Sequence, residues 1–245
     1  MTWAIQIQNV SKVFSTERRQ PTFYTFIKRI LHQKFMRPNL FYALKYIEFE
    51  IQQGEKIGLI GNNGSGKSTL LKVISRLYRP DEGVVRTNGE MLLLTGLGTG
   101  MLDELSLEEN IILYGSIYGL ERTAIRVVIP EILEWAELKK FANAKLKTLS
   151  SGMRSRLAFS MMRYLAADIV LLDEALTAGD RNFKVKCQAT FDDYKKTSRT
   201  FLIATHDLSF VERFCSKTIW LHMGHQMAFD YTDRVLQEYS DATLR

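Results

Sequence analysis

Four short stretches of the chain carry polar residues that could bind and cleave a phosphate compound. The first reads G-N-N-G-S-G-K-S-T and follows the apolar stretch Lys56–Ile60. Leu70–Ile74, with helical apolar spacing, comes next, so the order is strand, glycine-rich loop and helix. Glycines let backbone N–H groups surround a phosphate, while a lysine adds charge and a serine hydroxyl can ligate Mg²⁺. The stretch predicts a phosphate-binding P-loop formed by Gly61, Asn62, Asn63, Gly64, Ser65, Gly66, Lys67, Ser68 and Thr69.

Two carboxylates follow a second apolar run. Ile169–Leu172 leads directly into Asp173 and Glu174, at the end of a predicted buried strand, where α/β sheets bind ligands. By itself, such an acidic pair is more often a solvated strand end. Next to a P-loop, we expect Asp173 to hold Mg²⁺ indirectly, through the outer coordination shell of the ion, and Glu174 to orient and deprotonate the water that attacks the γ-phosphate.

A histidine and a serine-glycine segment complete the set. His206 follows the apolar run Phe201–Ala204 by two residues, so it can reach the same edge of the sheet. A lone histidine there is more often structural, but a neutral imidazole could hydrogen-bond the γ-phosphate. Ser150, Ser151 and Gly152 precede a predicted helix, whose first N–H groups could hold an anion. The simpler interpretation is a helix cap.

The elements that must position these residues are those of an α/β protein. Alternating apolar and polar residues over Ala4–Gln8 and Ile47–Ile51 predict half-buried antiparallel strands near the N-terminus. Continuous apolar runs at Ile57–Ile60, Ile169–Leu172 and Phe201–Ala204 alternate with helical stretches. Such runs are typical of parallel strands that are covered on both faces.

A helical subdomain is predicted between strands of this core, at about residues 100–167. No strand-like run occurs from Leu107 to Ala167, and helices are favoured over Ile111–Tyr118, Ala124–Leu138 and Met153–Leu165. Pro130 is predicted to kink or end the second of these helices.

Composition limits the classes of function without choosing among them. The 245 residues are 46% hydrophobic and 24% charged, which fits a single domain with a subdomain. No stretch approaches the roughly 20 apolar residues of a membrane span, and no signal peptide is visible, so we expect the protein in the cytoplasm. Cys187 and Cys215 are too isolated to predict a disulfide framework or a metal site. The net charge of +6 is compatible with nucleic acid, an anionic membrane surface or phosphate ligands.

Together, the four stretches resemble the ATP-binding-cassette (ABC) ATPases. Leu149–Met153 resembles the signature loop L-S-G-G-Q of that family, and Ala178–Asp180 occupies the position of its D-loop, which joins two sites across a dimer. Phe14 matches the aromatic residue that stacks on adenine; ordinary core packing of Phe14, with Tyr42 as the stacking residue, is the alternative. The resemblance implies a P-loop NTPase core with an N-terminal antiparallel β part and an inserted helical subdomain of ABC ATPase type.

The same resemblance implies how the serine-glycine segment acts. Ser150 and the N–H of Gly152 would contact the γ-phosphate of an ATP held by the P-loop of a second copy. Ser151 and Asp180 would lie beside them. Two ATP molecules with Mg²⁺ would then be enclosed in a head-to-tail homodimer, in which Glu174 and His206 are the catalytic residues.

Three local matches indicate one subgroup of the family, which exports polysaccharides. The family usually has a glutamine in the loop before the helical subdomain, but none occurs here between Gln53 and Gln188. Residues 98–110 instead resemble the loop G-x-G-F-x-x-E-L-T-G-x-E-N of the subgroup, with Met101 and Leu107 as departures. S-S-G-M at 150–153 and D-E-x-L-x-x-G-D at 173–180 also match.

The resemblance to this subgroup implies an ATP hydrolase at the cytoplasmic face of the inner membrane. It would drive a separate integral membrane permease that exports O-antigen, capsular polysaccharide or teichoic acid. The alternatives are an exporter of drugs, lipids or peptides, and a soluble ABC ATPase that acts on DNA or ribosomes. Proteins of the last class generally carry a coiled-coil insertion or two fused cassettes, so we expect no nucleic-acid partner.

An insertion at about residues 15–41 combines apolar residues at helical spacing with basic residues. It could contact anionic lipid, the membrane partner or the head group of a lipid-linked glycan, or it could pack on its own domain. The residues concerned are Phe23, Phe26, Ile27, Lys28, Arg29, Ile30, Leu31, His32, Lys34, Phe35 and Arg37. A C-terminal carbohydrate-binding domain, found in longer members of the subgroup, is not expected because the sequence ends at Arg245 after a predicted hairpin and a short helix.

Overall fold

The computed structural model describes residues 2–15, 40–95, 100–164, 167–173 and 181–243. Most of the basic insertion, together with Glu174 and the 175–180 segment that contains Asp180, lies outside these residues. The strands are β1 (Trp3–Ser15), β2 (Leu40–Gln52), β3 (Lys56–Ile60), β4 (Glu82–Thr87), β5 (Met91–Thr95), β6 (Ile169–Asp173), β7 (Thr200–Ala204), β8 (Lys217–His222) and β9 (His225–Tyr231). The α-helices are α1 (Lys67–Ile74), α2 (Leu107–Ile117), α3 (Arg122–Trp135), α4 (Ser151–Met162), α5 (Arg181–Lys195), α6 (Leu208–Phe214) and α7 (Thr232–Thr243).

The central sheet has six strands in the order β5-β6-β7-β3-β8-β9. The first five strands in this order, β5, β6, β7, β3 and β8, are parallel, and β9 pairs antiparallel with β8. The three continuous apolar runs form the adjacent strands β6, β7 and β3, in which Leu171, Leu202 and Ile57 lie side by side. The prediction of parallel strands from these runs is confirmed.

Both faces of the central sheet are buried at β3, β6 and β7, which explains the continuous apolar runs of these strands. Along β6 and β7, Leu171 and Leu202 face a cluster that includes α1 and the first two strands. Their neighbours Leu172 and Ile203 face the opposite cluster, which includes the buried residues of α2 to α6. Side chains that alternate between two apolar layers need apolar residues at every position.

The N-terminal strands form a separate antiparallel sheet in the order β2-β1-β4. Ile5 lies opposite Ile51 and Ile7 opposite Phe49, so the predicted pairing of the two alternating segments is confirmed. The sheet packs its buried face on α1 and the central sheet. The end of β1 and the start of β2 thereby lie beside the glycine-rich loop.

Helices α2, α3 and α4 lie within the predicted helical region. Helix α3 runs through Pro130 to Trp135, so Pro130 is not a helix boundary. The proline is exposed, and the Arg126 carbonyl, which loses its usual N–H partner, can be hydrated. Among the described residues, none of the helices has the length and apolar character needed to cross a membrane.

Candidate functional site

A pocket of about 300 Å³ opens at the carboxyl edge of the central sheet. Because β3, β6 and β7 are parallel neighbours, the residues that end or follow these strands meet at this edge. Residues from the ends of β1 and β2 close the other side. The lining consists of Phe14, Phe41, Ala43, Asn63, Gly64, Gly66, Lys67, Ser68, Thr69, Asp173, Ala204, Thr205 and His206.

At two positions of the loop, the backbone of neighbouring strands comes so close that only glycine fits. A Cβ on Gly61 would lie 2.1 Å from the carbonyl oxygen of Leu221, and a Cβ on Gly66 would lie 2.6 Å from that of Ala43. Both glycines have positive φ angles, 145° and 108°. The loop therefore rests directly on the backbone of β2 and β8, in a conformation that side chains would prevent.

Lys67 is buried inside the curve of this loop. Its Nζ donates hydrogen bonds to the carbonyl oxygens of Gly61 at 2.7 Å and Asn62 at 3.1 Å. Lys67 is also the first residue of α1, whose first turn contains no acidic side chain. A helix N-terminus has unpaired N–H groups and a positive dipole end, so this part of the pocket suits an anion.

Ser65 supplies a further polar group to the loop. Its Oγ is buried and has no hydrogen-bond partner within the described part of the chain. The backbone of the same residue is fixed, because the N–H of Gly224 donates to its carbonyl at 3.0 Å. A buried hydroxyl without a partner costs free energy, which a bound phosphate group would recover. The loop thus fits the group that its sequence predicts.

Ser68 and Asp173, the two residues predicted to hold Mg²⁺, lie in the same pocket. Asp173 is the last residue of β6 and is half-buried, while Ser68 is the second residue of α1 and is exposed. Hydroxyl and carboxylate oxygens are the hard ligands that Mg²⁺ prefers, usually together with phosphate oxygens and water. The donor set therefore fits Mg²⁺.

His206 also lines the pocket, at the end of β7. The N–H of Thr205 donates to the carbonyl of Leu59 at 3.3 Å, which continues the β7–β3 pairing by one residue. Asp207 then caps α6, since its Oδ1 accepts from the N–H of Phe210 at 3.0 Å. Between these two fixed points His206 is exposed, with its side chain at the pocket.

Two aromatic residues also line the pocket. Phe14 and Phe41 are direct partners in the β1–β2 pairing and are 37% and 52% exposed, respectively. Tyr42, the alternative stacking residue, is not among the described residues that line the pocket, and Lys45 Nζ lies 5.8 Å from its ring. Phe41 was missed in the sequence because the long insertion hides which residue lies opposite Phe14; the strand pairing reveals it.

The strand that carries Phe14 is fixed by the segment after α1. The Phe14 ring contacts Tyr78 edge-on, with the centroids 5.5 Å apart. Asp81 Oδ2 accepts a hydrogen bond from the N–H of Val13 at 2.7 Å and lies 3.0 Å from Lys12 Nζ. These contacts, the Val13 hydrogen bond above all, lower the pKa of Asp81.

The serine-glycine segment lies outside the lining of the pocket. Ser150 is the N-cap of α4, and its Oγ accepts from the N–H of Met153 at 3.3 Å. Ser150 and Ser151 are exposed, and a Cβ on Gly152 would meet only Ser150 Oγ among the described residues, at 4.0 Å. The predicted helix cap is present, and the segment also offers a free surface that its own pocket does not use. Glu174 and Asp180 lie outside the described residues.

Known proteins resemble this chain over most of its length. The O-antigen export system ATP-binding protein RfbB of Myxococcus xanthus is 35% identical over 98% of this chain and 56% of its own length. RfbB of Klebsiella pneumoniae is 33% identical over 85% of both chains. The teichoic acids export ATP-binding protein TagH of Bacillus anthracis is 37% identical over 83% of this chain and 38% of its own length. The chain spans about half the length of the first of these curated relatives, and less of TagH.

Solved structures share the fold. A dimeric ATP-binding cassette in a post-hydrolysis state, bound to ADP and Pi, matches with a TM-score of 0.74 and 23% identity, over 93% of this chain and 98% of that chain. The ATP-binding subunit of an ABC transporter matches with a TM-score of 0.75 and 22% identity, over 97% of this chain and 93% of that chain. The family model described as ABC transporter matches residues 44–177, which include the glycine-rich loop, the Ser150 segment and Asp173. The chain belongs to the ABC transporter family, as an ATP-binding domain.

Proposed function

We propose that this chain hydrolyses ATP and thereby drives an exporter of lipid-linked polysaccharide. The observation that carries the proposal is that one pocket is lined both by Lys67, Ser68, Asp173 and His206 and by two aromatic residues. The polar residues suit a triphosphate, and the aromatic rings suit a flat base. The relatives named for O-antigen and teichoic acid export support the class of cargo.

In this proposal the residues have distinct roles. Lys67 and the loop N–H groups bind the phosphates, while Ser68 and Asp173 hold Mg²⁺, which neutralises charge on the phosphates when bound. Glu174 accepts a proton from water as the water oxygen bonds to the γ-phosphorus. The bond between that phosphorus and the β–γ bridging oxygen breaks, which gives ADP and phosphate. His206 hydrogen-bonds the γ-phosphate and so distinguishes ATP from ADP.

We also propose a head-to-tail homodimer with an integral membrane permease as partner, at the cytoplasmic face of the membrane. The exposed segment Ser150–Gly152 would contact the γ-phosphate held by a second copy, with Asp180 near the junction of the two sites. The dimeric cassette structure with the same fold supports this arrangement. Charge-assisted hydrogen bonds to the γ-phosphate would close the dimer, and their loss after hydrolysis would open it.

The chemistry is tested with purified protein. The wild type should release phosphate from ATP, whereas Glu174→Gln should bind ATP without turnover and form a stable dimer. Analytical ultracentrifugation with ATP, with ADP and without nucleotide measures this. A Glu174→Gln protein that stays monomeric with saturating ATP would exclude the sandwich dimer, and one that turns over normally would exclude Glu174 as the base.

The cargo is tested in cells whose only copy carries Glu174→Gln. Polymer retained inside, with a bare surface, is the expected result, and polymer is measured separately on the surface and in the lysate. Normal surface polymer, with ATPase activity lost in the purified protein, would exclude polysaccharide as the cargo.

The basic insertion is proposed to contact anionic lipid or the head group of a lipid-linked glycan. Its composition, with basic residues among apolar ones, is the support. Replacement of Lys28, Arg29 and Lys34 by Gln should reduce sedimentation with vesicles that contain anionic lipid. Unchanged sedimentation would instead favour packing of the segment on its own domain.

A further inference from the structure

The loop before α2 has a fixed shape because one buried side chain holds it. Asn110 is fully buried, and its Nδ2 donates to the carbonyl oxygens of Leu102, Leu105 and Ser106 at 3.0, 3.2 and 2.9 Å. Its Oδ1 accepts from the N–H of Leu102 at 2.8 Å. A buried amide with these partners gives the loop 102–106 a defined conformation, since any change leaves polar groups unpaired.

This loop is joined by backbone hydrogen bonds to the segment that leads into α4. The N–H of Lys147 donates to the carbonyl of Asp103 at 3.1 Å, and the N–H of Leu146 donates to that of Leu105 at 2.9 Å. The N–H of Leu107 donates to the carbonyl of Ala144 at 3.2 Å. These backbone hydrogen bonds join loop 102–106 and segment 144–147 into one unit.

Ion pairs extend this unit to the first turn of α4. Asp103 Oδ1 lies 2.5 Å from Arg154 Nη1, while Glu104 lies 3.0 Å from Lys147 Nζ and 3.2 Å from Lys145 Nζ. The two lysines lower the pKa of Glu104 by hydrogen bonding. Two acidic residues on the loop thus face three basic residues on the other side.

Arg154 contacts both the loop and the residue that precedes Ser150. Besides the pair with Asp103, its Nε donates to the carbonyl of Leu149 at 3.4 Å. Leu149 and Arg154 lie on either side of Ser150–Gly152 in the sequence, so their contact links the orientation of that segment to the loop. Asp103 and Glu104 are 60% and 68% exposed, and exposed ion pairs contribute little to the stability of a fold. Their expected effect is on orientation.

We propose that Asp103 and Glu104 are positioning residues, which hold Ser150–Gly152 in the orientation that contacts ATP on a second copy. This inference rests on the proposed dimer. It predicts that loss of the ion pairs changes the dimer dissociation constant but not the ATP affinity of the single chain. Loss of the ion pairs weakens dimer formation, in which the Ser150 segment takes part, and leaves binding of ATP to the P-loop of the same chain unchanged. A merely structural role would alter both, together with the unfolding temperature.

The test uses Glu174→Gln as the parent and adds Asp103→Asn with Glu104→Gln. We expect the dimer dissociation constant in saturating ATP to rise about tenfold. ATP affinity, measured at protein concentrations at which the chain is monomeric, and the unfolding temperature should match the parent. Asp230→Asn is the matched control, because it breaks a similar surface pair with Arg234 at 3.1 Å, away from α4.

A charge exchange adds a second variant. Arg154→Asp should weaken the dimer, and Arg154→Asp with Asp103→Arg should restore it in part. A parent that does not dimerise would overturn the proposed function and this inference with it. A parent that dimerises as tightly as its Asp103→Asn, Glu104→Gln derivative would overturn this inference alone. So would a derivative that loses ATP affinity or stability to the same degree as dimerisation.

Discussion

The glycine-rich loop and the Ser150–Gly152 segment have similar residue types but opposite surroundings. In the loop, Ser65 and Lys67 are buried, and Gly61 has no room for a side chain. In the other segment, Ser150 is exposed, and a Cβ on Gly152 would be accommodated, with Ser150 Oγ at 4.0 Å as its only neighbour in the described part of the chain. The loop is enclosed by backbone from β2 and β8, whereas surface ion pairs hold the surroundings of the segment.

This difference indicates which interactions each region can complete within one chain. An enclosed loop with a buried ammonium group already forms a concave site for an anion. A convex helix start is preorganised by its cap, but it can bury a ligand only when another surface covers it. The comparison therefore supports one nucleotide site per chain that a second copy completes. Four predictions test the two regions and the pocket beside the loop.

Lys67→Ala should have the largest effect. Loss of the ammonium group that faces the pocket should weaken ATP binding about 100-fold, since charge-assisted contacts with phosphate are lost. Isothermal titration calorimetry measures the affinity, and Lys196→Ala, at an 81% exposed side chain, is the control. ATP affinity within a few-fold of the wild type would show that the enclosed loop is not the phosphate site.

Ser150→Ala should lower turnover without changing the ATP affinity of the glycine-rich loop. We expect turnover to fall about thirtyfold, because the proposed contact across the dimer would be lost, with ATP affinity of the monomer unchanged. The lost helix cap should also cost about 1 kcal/mol of stability. Ser155→Ala removes a hydroxyl from the same helix and is the control for stability. Equal losses in turnover and in monomer ATP affinity would contradict the separation.

The contribution of the aromatic rings to the pocket can be separated from that of the polar residues by removing the rings. Phe14→Ala and Phe41→Ala should each weaken ATP binding about tenfold, since a stacked base is worth roughly 1–3 kcal/mol. Affinity for inorganic tripolyphosphate, which has no base, should stay the same. Tyr42→Ala is the matched control, because its ring is adjacent in sequence but does not line the pocket. Equal effects of Tyr42→Ala would contradict the assignment of the rings.

The enclosed region could be predicted from the sequence because its signals are local. A P-loop is contiguous, and Asp173 and His206 directly end or closely follow apolar runs. Parallel neighbours bring such strand ends together without further information. The order of the strands was not needed to expect Lys67, Asp173 and His206 in one pocket.

The surroundings of the Ser150–Gly152 segment could not be predicted in the same way because their contacts join distant parts of the chain. Asp103 and Arg154 are 51 residues apart, and their pairing depends on how loop 102–106 meets the start of α4. Phe41 likewise required the β1–β2 register across the insertion. Pro130 was misjudged as a possible helix end because its exposed position, which lets the helix continue, is a property of packing.

The smallest predicted effect concerns the contact that fixes the strand of Phe14. The pKa of Asp81 is lowered in the folded protein, chiefly by the N–H of Val13, so the unfolded chain binds a proton more readily than the folded one. The stabilisation is therefore fully present above the ordinary pKa of 3.8 and is lost as the pH falls through the lowered value. Because the group is largely exposed and screened by solvent, the effect should stay below about 1 kcal/mol.

Thermal unfolding of the wild type and of Asp81→Asn between pH 6 and pH 2, on a scale set by ordinary carboxyl pKa values, checks this contribution. The wild type should be the more stable protein near pH 6, and the difference should shrink as Asp81 is protonated. Asp193→Asn, at an exposed position on α5, is the control for a general loss of negative charge. A difference that stays constant down to pH 2 would mean that the Asp81 carboxylate does not stabilise the strand. The position of Phe14 would then depend on the β1–β2 pairing and on its ring contact with Tyr78.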